Sequence, residues 1–326
     1  MTLPIHSPSS EAEAAEIVSA ARAARTALRI VGGGTRQDLG RPVNATARLS
    51  TEKLGGITLY EPAEMVIGAR AGTPLDEVVA TLAAKGQMLP FEPMDHRPLL
   101  GSTGAPTMGA IAAGNISGPR RISHGAARDS LIGVRFVNGR GEIVKSGGRV
   151  MKNVTGLDVV KLQSGAWGTL GFLTEVIFKV LPAPETQRTL VLEGLDDARG
   201  IAALSAGLTS PFEVTGAAHL PATDTAAART MLRIEGFEAS LTYRAAALGR
   251  LLTPFGAARI LEESASASLW RMVRDAEPLL EPRDAAVWRL SVKPSDGPKV
   301  HETVAHRIAG HIQIVRPRYL DSGIAD

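Results

Sequence analysis

Three consecutive glycines, Gly32, Gly33 and Gly34, follow directly on the apolar run Leu28, Arg29, Ile30 and Val31 and lead into Thr35 and Arg36. A glycine-rich turn after a strand lets successive backbone N–H groups converge on phosphate oxygens, because no Cβ blocks the approach and glycine accepts positive φ. The chemistry such a turn serves is binding of a diphosphate, and the competing reading is a tight turn that needs one glycine. Two common nucleotide signatures fail here. Gly34 is followed by Thr35, Arg36 and Gln37, so G-x-G-x-x-G is not met, and no Gly-Lys-Ser/Thr occurs in the chain. A G-x-S-x-G nucleophile elbow is also missing.

Residues 107–121, TMGAIAAGNISGPRR, place small side chains at nearly every position, so a flat ring or a second backbone could approach closely. Arg120 and Arg121, both basic, close that stretch. A third region, residues 152–175, spaces Gly165, Gly168 and Gly171 three apart before a strand. Three such regions exceed what ordinary loops need. His124 lies beside the second region and reads as an exposed loop residue. His301, His306 and His311 recur every five residues, which turns them away from one another on a helix, so no metal site is expected.

The elements that must position these residues are of both kinds. Ser10 and Glu13 form a capping box ahead of Ala14, Ile17, Val18 and Ala21, predicting a helix that leads into a strand over 28–31. A strand over 65–71 precedes a helix that starts near Pro74 and closes at Gly86. Runs 131–137 and 142–145 flank Asn138-Gly139 as a hairpin, and 172–181 reads as a further strand. Pro182-Ala183-Pro184 breaks the chain there and marks a domain border. Beyond it, strand-like runs at 190–192, 232–234 and 287–292 alternate with Ala-rich helical stretches such as 238–252, predicting an α+β layer.

Composition narrows the function. A chain of 326 residues, 44% hydrophobic, can bury the cores of two domains. With 36 Lys and Arg against 33 Asp and Glu, and no basic blocks, nucleic acid is not an expected partner. The absence of cysteine excludes disulfides, cysteinyl flavin links and iron–sulfur clusters ligated by this sequence. The N-terminal residues lack the basic and apolar regions of a secretory signal, which points to a cytoplasmic location. Residues 99–119 are uncharged, yet too rich in glycine, proline and hydroxyls to read as a transmembrane segment.

The order of the three glycine-rich segments resembles the FAD-binding domain of the vanillyl-alcohol oxidase family, the PCMH-type fold, over residues 11–182. That resemblance implies an α+β chain: a two-subdomain FAD-binding domain over 1–182 and a smaller cap-like α+β domain over 183–326. It implies that Gly32, Gly33, Gly34, Thr35 and Arg36 wrap the FAD pyrophosphate and that Thr107, Gly109, Ala110, Ala113, Asn115 and Gly118 line the flavin. Gly168, Thr169, Leu170, Gly171, Phe172, Thr174 and Glu175 would add backbone contacts. With no histidine in the pyrophosphate loop, the FAD is expected to be non-covalent.

A narrower resemblance rests on AGTPLDEVVATLAAKGQMLPFEP, SGPRR and the run GGRVMKNVTGLDVVKLQSGAWGTLGFLTEVIFKVLPAP. Together they look like the FAD-binding E subunits of bacterial glycolate oxidase. This implies oxidation of a small 2-hydroxy acid, glycolate, to glyoxylate, with a paralogous flavoprotein subunit and an iron–sulfur subunit as partners; for such a substrate Arg120 or Arg121 could clamp the carboxylate, while no obvious base takes the hydroxyl proton. Attachment to the inner membrane would come only through those partners. The alternatives are a non-catalytic scaffold subunit with a degenerate flavin site and an FAD-dependent D-lactate or 2-hydroxy-acid dehydrogenase. The sequence departs from the family at Ala110, where relatives carry a second glycine, at Leu157, and at the C-terminus, RPRYLDSGIAD, where relatives carry a segment that returns to the flavin domain. An incomplete C-terminus is therefore expected to weaken cofactor retention.

Overall fold

The computed structural model describes residues 3–40, 42–148, 157–223, 225–308 and 319–320. Of the C-terminal stretch 316–326 only Tyr319–Leu320 is described, and His311 and the side chain of His306 lie outside the described residues. The chain forms two compact units, one of residues 1–118 and 125–183 and the other of 119–124 and 184–326.

The first unit is built on two sheets. Ser10 accepts a hydrogen bond from the Glu13 backbone (3.2 Å) and starts the helix Glu11–Ala23. Glu13 accepts from the N–H and hydroxyl of Ser9 (2.7 and 3.0 Å) rather than from Ser10, so the capping box closes one residue early. The helix leads into the strand Leu28–Val31, which pairs in parallel with Ala47–Ser50, itself parallel to Ile5–His6. The three glycines thus leave the carboxyl end of a parallel strand, the end of an α/β layer at which ligands gather.

The second sheet is antiparallel, in the order Ile57–Glu61, Val66–Arg70, Phe172–Lys179, Leu131–Val137, Ile143–Gly147. Leu131, Val134, Phe136, Val176 and Phe178 turn into a core shared with Leu75, Val78 and Leu82 of the helix Leu75–Ala83 and with Met108 and Ile111. Each such burial stabilises the fold by about 1.5–3 kcal/mol. The expected hairpin is present, with its left-handed residue at Gly141 (φ 82°), while the Asn138 side-chain oxygen accepts from the backbones of Arg140 and Glu142. Glu11 ties its helix to this sheet by accepting from Arg135 and from Thr174 Oγ1, and the hydrogen bonds from Arg135 hold its carboxyl below the usual range.

In the second unit, Thr186–Glu193, Val214–Leu220, Arg229–Gly236 and Arg259–Leu261 form an antiparallel sheet in the order 259–261, 186–193, 229–236, 214–220, with Tyr319–Leu320 at the far edge. Alternation along the strands divides the side chains between two cores. Leu190, Leu232 and Ile234 meet Leu204, Leu241 and Leu248 on one face, and Val191 and Met231 meet Trp270 on the other. The run 287–292 is not a strand, contrary to its alternating pattern. No neighbouring strand satisfies its backbone among the described residues, and Val287, Trp288, Leu290 and Val292 lie exposed.

Candidate functional site

Gly32 and Gly33 fold back against the loop 104–107 of the same unit. A Cβ on Gly33 would stand 1.7 Å from the Ala105 carbonyl oxygen, and one on Gly104 would stand 1.6 Å from the Gly33 carbonyl oxygen. The two backbones touch, which glycine alone permits. Gly34 is left-handed (φ 75°). Among the described residues, the N–H groups of Gly33, Gly34 and Thr35 make no hydrogen bond, leaving donors for an anion.

Thr107 stands across from Gly32, its Oγ1 only 2.5 Å from where a Gly32 Cβ would be. It occupies the N-cap of the helix Met108–Gly114, yet its hydroxyl does not cap. That hydroxyl is buried and has no partner among the described residues. Within the helix, Met108, Gly109, Ile111 and Ala112 are buried, whereas Ala110, Ala113 and Gly114, at helical spacing, stay partly exposed and present an open small-residue face. Ala110 lies on the Gly32 side.

The third segment closes in through Trp167, whose backbone N–H donates to the Ala113 carbonyl (2.9 Å), and through left-handed Gly168 (φ 76°), on which Ile30 packs. Arg36 approaches from the remaining direction. It donates to His96 Nδ1 (3.1 Å), to the Met94 carbonyl (3.2 Å) and to Thr35 Oγ1 (3.3 Å), and burial lowers its pKa to about 10, still charged at neutral pH. None of these three acceptors is a carboxylate, and the nearby Asp95 charge only moderates the effect of burial.

Other residues marked in the sequence hold the walls instead. Gly109 packs its helix onto Ala71, and the Asn115 side chain accepts from the Arg128 backbone (2.8 Å). Gly118 donates to the Phe91 carbonyl (2.8 Å), and Leu170 is exposed. Gly171 lies against Phe136, and Phe172 is buried with Ala14 and Leu49. Thr174 and Glu175 bond Glu11 and Thr58. The sequence reading overlooked Thr51, whose buried hydroxyl also lacks a partner among the described residues and whose N–H binds Val31 beside the glycine turn. Its signal is a hydroxyl that directly follows the parallel strand Ala47–Ser50.

The expected carboxylate clamp is corrected by the second unit. Arg120 donates to both oxygens of Glu235 (2.7 and 2.9 Å), and the pair is largely buried, so this guanidinium already holds a carboxylate of its own chain. Burial acts to raise the Glu235 pKa, but the Arg120 hydrogen bonds and the Arg233 charge outweigh it and bring it down to about 2.

What the glycine turn and the loop 104–107 offer is therefore a set of unengaged N–H donors, the orphaned Thr107 hydroxyl, one desolvated cation and a floor of small residues. That donor set fits a diphosphate joined to flat rings, and FAD has this form.

Residues 4–147 match the model of the FAD binding domain family. The glycolate oxidase subunit GlcE of Escherichia coli K12 is 34% identical over 284 residues, which cover 87% of this chain and 73% of GlcE. The glycolate oxidase subunit GlcD of Bacillus subtilis 168 is 34% identical over 115 residues, 35% of this chain and 23% of that protein. A D-lactate dehydrogenase of Anaerostipes hadrus is 31% identical over 176 residues, 53% of this chain and 34% of the relative. Among solved structures, an alkyldihydroxyacetonephosphate synthase superposes with a TM-score of 0.71 at 17% identity, covering 94% of this chain and 65% of the other, and shares the fold.

Proposed function

The chain belongs to the GlcE family of FAD-binding glycolate oxidase subunits, and from that premise we propose that it is the FAD-carrying, partner-dependent subunit of a 2-hydroxy-acid oxidase. Its fold is the PCMH-type FAD-binding fold with an α+β unit, and its cofactor is FAD. The observation that carries the proposal is the cradle of Gly32–Thr35 with the orphaned Thr107 hydroxyl and Arg36. In it, the backbone N–H groups and Arg36 would hold the pyrophosphate, and Thr107, Ala110, Ala113 and Gly168 would lie along the cofactor. When bound, FAD would supply a two-electron acceptor for oxidation of the carbinol, while the chain's residues would bind and orient it.

The substrate we propose is glycolate, with glyoxylate as product, and the electrons leave through an iron–sulfur partner because this sequence has no cysteine to ligate a cluster. A paralogous flavoprotein subunit completes the substrate site. Arg120 supports this division, since one of the two arginines that could bind a substrate carboxylate is neutralised by Glu235. Dye reduction with glycolate and with D-lactate, by the chain alone and co-expressed with the other two oxidase subunits, tests the proposal. Turnover only in the assembled complex, and faster with glycolate, is expected. Brisk turnover by the lone chain would refute it.

A further inference from the structure

Trp167 is an aromatic residue that the fold has no evident use for. It has a left-handed backbone (φ 53°), which bulky side chains rarely adopt, between Gly165 (φ 87°) and Gly168 (φ 76°), and its side chain is 52% exposed. A backbone conformation of this kind at a large residue points to a functional demand. The surrounding fold fixes only its main chain, through the hydrogen bond to Ala113, and the indole N–H makes no hydrogen bond among the described residues. The far edge of the indole ring lies 3.5 Å from where a Cβ on Gly114 would be.

The ring meets the far end of the helix that Thr107 opens beside the glycine turn. Ala110, Ala113 and Gly114 form the partly exposed small-residue side of the helix Met108–Gly114. Gly168, next to Trp167, packs on Ile30, two residues before the glycine turn. Thr107, at the start of the same helix, keeps its buried hydroxyl unpartnered against Gly32. A small-residue face beside an exposed aromatic ring offers surfaces on which a planar ring can stack, and such stacking is a sequence-tolerant source of affinity for nucleotides.

We infer that Trp167 is a cofactor-positioning residue whose indole forms one wall of the FAD site against a flat ring of the dinucleotide. This rests on the FAD reading above and adds to it a side-chain contact that the glycine motif alone does not provide. The ring can be the isoalloxazine or the adenine, since both present an aromatic face. Three chains are compared after removal and re-addition of cofactor: wild type, Trp167→Asn, whose new residue tolerates the left-handed backbone, and Trp167→Phe, which restores an aromatic face. Titration with FAD should show a Kd about tenfold higher for Trp167→Asn and close to wild type for Trp167→Phe. The thermal midpoint of the cofactor-free protein should be unchanged or higher in Trp167→Asn.

A parallel titration with ADP separates the two rings. A loss seen with both ligands assigns the adenine, and a loss seen with FAD alone assigns the isoalloxazine. Equal FAD affinity in wild type and Trp167→Asn would overturn the inference and leave the FAD reading intact. So would a loss of affinity accompanied by a lower midpoint of the cofactor-free protein, which would make Trp167 a structural residue. Failure of the wild-type chain to take up FAD would overturn both.

Discussion

Replacing Thr107 by valine separates what the cradle does for the fold from what it does for the cofactor, because the two effects have opposite signs. Thr107 Oγ1 is buried without a hydrogen bond among the described residues, and its residue opens a helix that it does not cap. Leaving such a hydroxyl unsatisfied costs about 1–3 kcal/mol. Valine keeps the β-branched shape and removes the polar atom. The cofactor-free protein should gain on the order of 1 kcal/mol, a rise in thermal midpoint of about 2–4 °C for a unit of this size. If the hydroxyl binds a charged pyrophosphate, its loss removes a hydrogen bond worth about 1.5–3 kcal/mol, so the FAD Kd should rise roughly 10- to 100-fold. The assays are thermal unfolding of the cofactor-free protein and titration with FAD followed by flavin fluorescence. A lower midpoint with unchanged FAD affinity would refute the reasoning, since the hydroxyl would then serve the fold and not the ligand.

The remaining predictions test the cradle and the second unit separately. Gly33→Ala and Gly104→Ala each place a methyl within 2 Å of a backbone oxygen, so both should destabilise the cofactor-free protein by about 1–3 kcal/mol and lower its FAD content, read by unfolding and by bound flavin. Arg36→Met should weaken FAD about tenfold and flatten the salt dependence of binding, measured by titration at two ionic strengths, because it removes a buried cation that donates to His96 and Met94 beside the glycine turn. Glu235 has its pKa lowered from 4.5 to about 2, so its contribution to stability is fully present above pH 4.5 and is lost as pH falls toward 2. Trp270, over which Arg233 stacks at 4.7 Å, should report that acid transition by its fluorescence. Arg120→Met should destabilise the second unit by about 3–5 kcal/mol by stranding a buried carboxylate, and Glu235→Gln in the same chain should recover part of that loss.

The glycine turn was legible because an apolar strand and three glycines are local signals, and the strand over 28–31 forms with those bounds. The direction of each missing Cβ was not legible. Gly33 reads in sequence as a place where a side chain would strike a ligand, whereas in the fold it would strike Ala105, a contact set by a loop some seventy residues away. The roles of Gly109, Gly171 and Phe172 were hidden for the same reason, since a small or apolar residue in a cofactor motif can serve the wall or the site. Arg120 could not be read as spent, because Glu235 lies 115 residues along the chain. The run 287–292 shows the opposite limit: alternation predicts a strand, but a strand also needs a neighbour, and none of the described strands pairs with it.

The central claim is that the first unit holds FAD non-covalently in the Gly32–Arg36 cradle. The most direct test is to purify the chain, precipitate it with acid and quantify the flavin released into the supernatant, then to return FAD to the stripped protein. Release of FAD in near-equimolar amount and its recovery on re-addition are expected. A colourless chain that releases no flavin and takes up none would contradict it.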